Sequence, residues 1–82
     1  MTSIRKLLLY STPACHLCDN AVEIIRPYLH RYQLDLVLID ISESAELMEK
    51  YGVRIPVLHL DGEKKELHWP FDVEQFIRYV EN

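Results

Sequence analysis

Residues 4–20 read IRKLLLYSTPACHLCDN, and the order of features in that stretch decides the fold. An apolar run, Leu7 to Tyr10, ends in Ser11-Thr12-Pro13-Ala14, a loop rich in breakers. Ile4 to Tyr10 therefore reads as a buried strand, and a helix opens at about Cys15. Its apolar residues Leu17, Ala21, Ile24, Ile25, Tyr28, Leu29 and Tyr32 follow the i, i+4, i+7, i+8, i+11 spacing of one helical face. Pro27 lies within this pattern and cannot donate to the Glu23 carbonyl, so a kink or break is expected there. The chain's only two cysteines, Cys15 and Cys18, stand at the helix start with two residues between them.

Downstream, Leu34 to Ile41 (LDLVLIDI) is a nearly continuous apolar run, the signature of a strand covered on both faces. Strand, helix and strand make a βαβ unit, whose crossover should be right-handed. Ser42 or Ser44 can cap a short second helix that buries Ala45, Leu47, Met48 and Tyr51, with Gly52 as a left-handed terminator. Val57 to Leu60 is a third strand. Asp61-Gly62 reads as a two-residue hairpin turn, and Glu63 to Trp69 as a polar edge strand. Asp72 opens the last helix with Gln75 as its capping-box partner, and Val73, Phe76, Ile77 and Val80 form the buried face. The order β-α-β-α-β-β-α predicts one α/β domain over residues 1–82, a mixed four-stranded sheet with three flanking helices.

Bulk properties narrow the function classes. The 82 residues suffice for one compact domain, and 49% hydrophobic content argues against disorder. Net charge is −4 and the basic residues are scattered, so nucleic-acid binding is not expected. The Leu7–Tyr10 run is too short for a signal-peptide core, and no run reaches membrane-spanning length. The expectation is a cytoplasmic monomer with no membrane association. In the cytoplasm a close cysteine pair is more often catalytic or metal-binding than a structural staple.

Three readings of the pair are open: a redox couple, part of a metal site, or two buried small hydrophobes. A zinc site needs four ligands. His16 could add a third, but His30, His59 and His68 are far apart in sequence, so no metal site is expected. The strand–CxxC–helix context favours redox chemistry. Unpaired N–H groups and the positive end of the helix dipole stabilise a thiolate at Cys15. Cys18, one turn on, can attack a mixed disulfide formed there. His16, if protonated, would favour the thiolate further, and Asp19 would oppose it. Ile55-Pro56, just before the third strand, is an X-Pro bond of the only type that readily becomes cis.

The segments STPACHLC and RIPVL, with the strand and helix around them, resemble the glutaredoxin-like proteins of the thioredoxin superfamily. The likeness covers essentially the whole chain. It implies a four-stranded sheet in the order 2-1-3-4, thiol–disulfide exchange with Cys15 as nucleophile and Cys18 as resolving thiol, and a cis Pro56 beside the reactive cysteine. It also implies that Ile55 pairs with substrate backbone. A disulfide-containing protein or small thiol is the implied partner, with no tightly bound cofactor and glutathione as a candidate co-substrate. The alternative function is a non-catalytic redox-sensing or protein-binding module of the same fold. Departures from the family concern glutathione. Dithiol glutaredoxins usually have Cys-Pro-Tyr-Cys where this chain has His16-Leu17, a lysine where it has Thr12, and a Gly-Gly turn where it has HWPFDVEQF. Asp72 could meet a glutathione amino group or simply cap its helix.

His59, between Leu58 and Leu60, is expected on the opposite sheet face as a structural residue, and His68 on an exposed edge. Trp69-Pro70-Phe71 reads as packing at the joint between hairpin and last helix, with an apolar platform for a partner near Cys15 as the alternative.

Overall fold

A computed structural model describes residues 3–81. Strand β1 (Arg5–Ser11) is followed by helix α1 (His16–Ile25), β2 (Leu34–Asp40), α2 (Ala45–Tyr51), β3 (Val57–Leu60), β4 (Glu66–His68) and α3 (Val73–Glu81). Single 3₁₀ turns cover Arg26–Tyr28 and Ile41–Glu43. The sheet order is β2-β1-β3-β4. β1 pairs parallel with β2 and antiparallel with β3, and β3 pairs antiparallel with β4. The mixed α/β architecture expected from the sequence is therefore the one observed.

The chain alternates faces along each strand, and the two faces carry separate cores. Leu7, Leu9, Leu58 and Leu60 point toward α1 and α3 and pack with Ala21, Ile25, Phe76 and Val80. On the other face Val57 packs with Ile41 and Tyr51, with Tyr10 and Ile55 alongside. Tyr10 and Tyr51 stack with ring centroids 4.2 Å apart. The Tyr51 hydroxyl donates to the Glu66 carboxylate, joining α2 to β4. Burial and this carboxylate hold the Tyr51 phenol well above its ordinary pKa.

Pro27 acts as expected. The α-helix stops at Ile25 and the chain tightens to a 3₁₀ turn, because residue 27 has no N–H to continue the ladder. Ser44 is the cap of α2, its hydroxyl accepting from the Leu47 N–H at 3.2 Å. Asp72 and Gln75 form the reciprocal capping box, with Gln75 N donating to Asp72 Oδ1 (2.8 Å) and Asp72 N to Gln75 Oε1 (2.9 Å).

Several expectations need correction. The first strand is shifted by one residue, and Ile4 is exposed outside it. β2 is an edge strand rather than one covered on both faces: Leu38 is 59% exposed, since nothing lies beyond it in the sheet and a groove separates it from α1. Met48 is exposed on α2, and Ala45 is too. Gly52 is right-handed (φ −49°, ψ −39°), because the chain keeps turning until Arg54 N donates to Tyr51 O. Its lack of a Cβ matters for space instead, since a Cβ there would run into the Met48 carbonyl oxygen. The hairpin connection is longer than two residues. Gly62 takes the positive φ (92°) of a turn closed by Glu63 N to Leu60 O, and pairing resumes only at Glu66. β4 is accordingly three residues long.

His59 lies half-buried on the face opposite Leu58 and Leu60, with Nε2 2.5 Å from the Glu63 carbonyl. His68 is exposed, 3.5 Å from Glu66. Phe71 is buried and Trp69 meets it edge-on at 5.1 Å, so this segment packs the joint into α3.

Candidate active site

Sheet register determines which loops meet. Tyr10 pairs with Val57, and Val57 with His68, so one end of the sheet carries three loops. These are Thr12–Cys15 after β1, Ile55-Pro56 before β3, and Trp69-Pro70 after β4. The first two leave neighbouring strands of the sheet centre. The Ile55–Pro56 peptide bond is cis, as is Trp69–Pro70. Pro56 is fully buried, and Ile55 is half-buried against the Ile41–Tyr51–Val57 core.

Cys15 is the N-cap of α1, with extended backbone (φ −98°, ψ 104°). Its N–H donates to the Thr12 carbonyl at 3.3 Å, which folds the STPA loop into a turn, and its own carbonyl accepts from Asp19 N. The sulfur lies over the open end of the helix and accepts the Cys18 N–H at 3.1 Å. An N-cap side chain normally satisfies one of the orphan donors of the first turn, and here a cysteine does it. Cys15 and Cys18 are joined as a disulfide, with Cα atoms 5.2 Å apart.

The two sulfurs have unequal environments. Cys15 is half-buried and Cys18 is only 3% exposed. Helix periodicity explains this, since Cys18, Ala21 and Ile25 share the face that packs on the sheet. His16 is the first residue of α1 and is exposed, as is Leu17. Thr12 is half-buried beside the disulfide. Asp72 is exposed at the start of α3, with one carboxylate oxygen used by its cap.

Beside the disulfide a groove of about 270 Å³ runs between α1 and β2. Cys18 and Thr12 are in its wall, together with Leu38, Asp19 and Asp40. A roomier recess, about 490 Å³, lies under the hairpin loop by Lys64, Lys65 and Tyr79. That recess is at the opposite end of the sheet, where Leu60 pairs with Leu7, and holds no reactive group. The part Asp40 plays in the groove beside Asp19 and the Tyr51–Glu66 link were not anticipated from the sequence. Asp40 reads there only as the end of an apolar strand, and Glu66 only as a polar edge residue.

A family profile described as Glutaredoxin-like domain (DUF836) matches residues 6–81. Among solved structures, the protein XcR50 from X. campestris is 37% identical, with 92% of this chain and 95% of that one covered and a TM-score of 0.76. The solution structure of protein Ne2328 from Nitrosomonas europaea is 31% identical, with 96% and 94% covered and a TM-score of 0.80. The thioredoxin protein Deadhead from Drosophila melanogaster shares the fold at 18% identity, with 95% and 79% covered and a TM-score of 0.65. No helix among the described residues is long and apolar enough to cross a membrane. Profile, relatives and sheet order agree, and the chain belongs to the glutaredoxin-like domain family of the thioredoxin superfamily.

Proposed function

We propose that the protein is a cytoplasmic thiol–disulfide oxidoreductase that acts on disulfide-containing proteins or small thiols. The observation that carries this reading is the cap of α1. Cys15 Sγ sits where a helix terminus offers an N–H at 3.1 Å, while Cys18 is buried directly behind it. A thiolate at Cys15 keeps that hydrogen bond and gains from the helix dipole.

In the reducing direction the Cys15 thiolate attacks a substrate disulfide. One S–S bond forms between Cys15 and the substrate, one breaks, and the departing sulfur leaves as a thiolate. Cys18 then loses its proton and attacks the Cys15 sulfur. This closes the Cys15–Cys18 disulfide and releases the second substrate thiol. The substrate is reduced by two electrons and the protein is oxidised by two. Direction follows the partner's potential. Ile55, next to the buried Pro56, offers backbone groups to an extended substrate, and Thr12 and His16 border the loop that carries Cys15. Thr12 supplies no cation for a glutathione carboxylate, which favours protein disulfides over glutathione as substrate.

The test is equilibration with glutathione redox buffers followed by mass spectrometry. A reversible Cys15–Cys18 disulfide with a defined potential is expected, with little glutathione adduct on Cys15. A pair that stays in one state across the full buffer range would overturn the reading.

A further inference from the structure

The groove between α1 and β2 has a chemical character that the exchange reaction does not require. Its floor is apolar: Leu9 is fully buried, Val22 half-buried, and Leu38 is 59% exposed along one wall. Its two ionisable side chains besides the cysteine are both acids, Asp19 on α1 and Asp40 at the end of β2. Asp40 is held in place, its Oδ1 accepting from Ser42 N at 2.9 Å and Ser42 Oγ at 2.6 Å. Among the described residues the ion pairs involve Glu66 and Glu74, and neither groove carboxylate takes part in one. Thr12 and Cys18 close the groove at the disulfide.

An apolar trough with two carboxylates and no lysine or arginine of its own fits one kind of side chain. We propose that it seats a lysine or arginine of the substrate protein, a few residues from the substrate's reacting cysteine. The aliphatic stem lies along Leu38 and Val22 while the cationic head meets Asp19 and Asp40. Rests on the exchange function proposed above, this assignment gives that site a substrate class: disulfides flanked by basic residues. It also disfavours glutathione, whose two carboxylates meet like charge on this side of the disulfide. A net charge of −4 for the chain acts in the same direction at longer range.

The test uses three disulfide peptides that differ at one position, two or three residues from the reactive cysteine: arginine, citrulline or glutamate. The full chain is assayed for kcat/KM of disulfide reduction at low and high salt. At low salt the arginine peptide should exceed the glutamate peptide by about tenfold, with citrulline between, as two partly exposed ion pairs allow. The preference should shrink at high salt. It should fall below about twofold in Asp19→Asn/Asp40→Asn, checked for folding by thermal melting, and reverse toward glutamate in Asp19→Lys. Equal rates for the three peptides, or an arginine preference that survives the double substitution, would overturn the groove assignment while leaving thiol exchange standing. No exchange with any peptide would overturn the parent function and the groove's role with it.

Discussion

Cys15 Sγ accepts the backbone N–H of Cys18 at 3.1 Å across the first turn of α1, so the proposed nucleophile caps the helix that carries its partner. This relationship predicts a thiolate at Cys15 that forms below the free-cysteine pKa of about 8.5. Alkylation of the reduced protein, followed against pH, should show Cys15 reacting first with an inflection below that value. A Cys15 inflection at or above it would remove the helix-terminus contribution.

Asp72 separates a structural role from a binding role. Its Oδ1 accepts from Gln75 N at 2.8 Å, a bond that asparagine can keep and alanine cannot. Asp72→Ala should cost about 1 kcal/mol in chemical denaturation, and Asp72→Asn a few tenths at most. If the charge also meets a glutathione amino group, Asp72→Asn will weaken glutathione turnover while stability holds. Unchanged turnover in Asp72→Asn assigns the residue to the cap alone.

Tyr51 gives a pH signature. Burial, then its bond to the Glu66 carboxylate, raise the folded-state pKa above the unfolded value of about 10. A raised pKa means the native state binds its proton more tightly, so the associated stability is complete below about pH 10 and declines as pH rises beyond that. Tyr51→Phe should lose roughly 1.5–3 kcal/mol at neutral pH by removing a hydrogen bond to a charged group. The gap between wild type and Tyr51→Phe in urea unfolding should narrow between about pH 10 and 11.5. A gap constant with pH would contradict the shift.

The main core and the exposed edge strand should respond differently to truncation. Phe76→Ala removes a fully buried ring from the main core and should cost about 3–5 kcal/mol. Leu38→Ser, at a residue 59% exposed on β2, should change stability by less than about 0.5 kcal/mol. Denaturation midpoints of the two variants check the contrast.

What the sequence made legible was what depends on neighbours along the chain. The strand–loop–helix order around Cys15, the break at Pro27 and the Asp72–Gln75 box all follow from contacts within a few residues. The apolar spacing puts Leu17 on the buried face of this helix, but Cys18 is buried there and Leu17 is 47% exposed. Misreadings arose where partners are remote. An apolar run such as LDLVLID looks the same at the centre or the edge of a sheet, and only the order β2-β1-β3-β4 leaves Leu38 uncovered. Asp61-Gly62 signals a turn, but where pairing resumes depends on β3 and β4, and Glu63 to Lys65 are polar enough to stay outside the ladder. The Tyr51–Glu66 bond and the Asp19–Asp40 groove join residues from different elements, and spacing gives no sign of either.

The most direct test of unequal cysteines is reduction of a disulfide substrate by Cys18→Ser and Cys15→Ser, with intact-mass analysis of the quenched protein. Cys18→Ser should accumulate a mixed disulfide on Cys15, while Cys15→Ser should show neither turnover nor adduct. Adduct on Cys18 of the Cys15→Ser variant at a comparable rate, or no adduct on either, would contradict the assignment of Cys15 as nucleophile and Cys18 as resolving thiol.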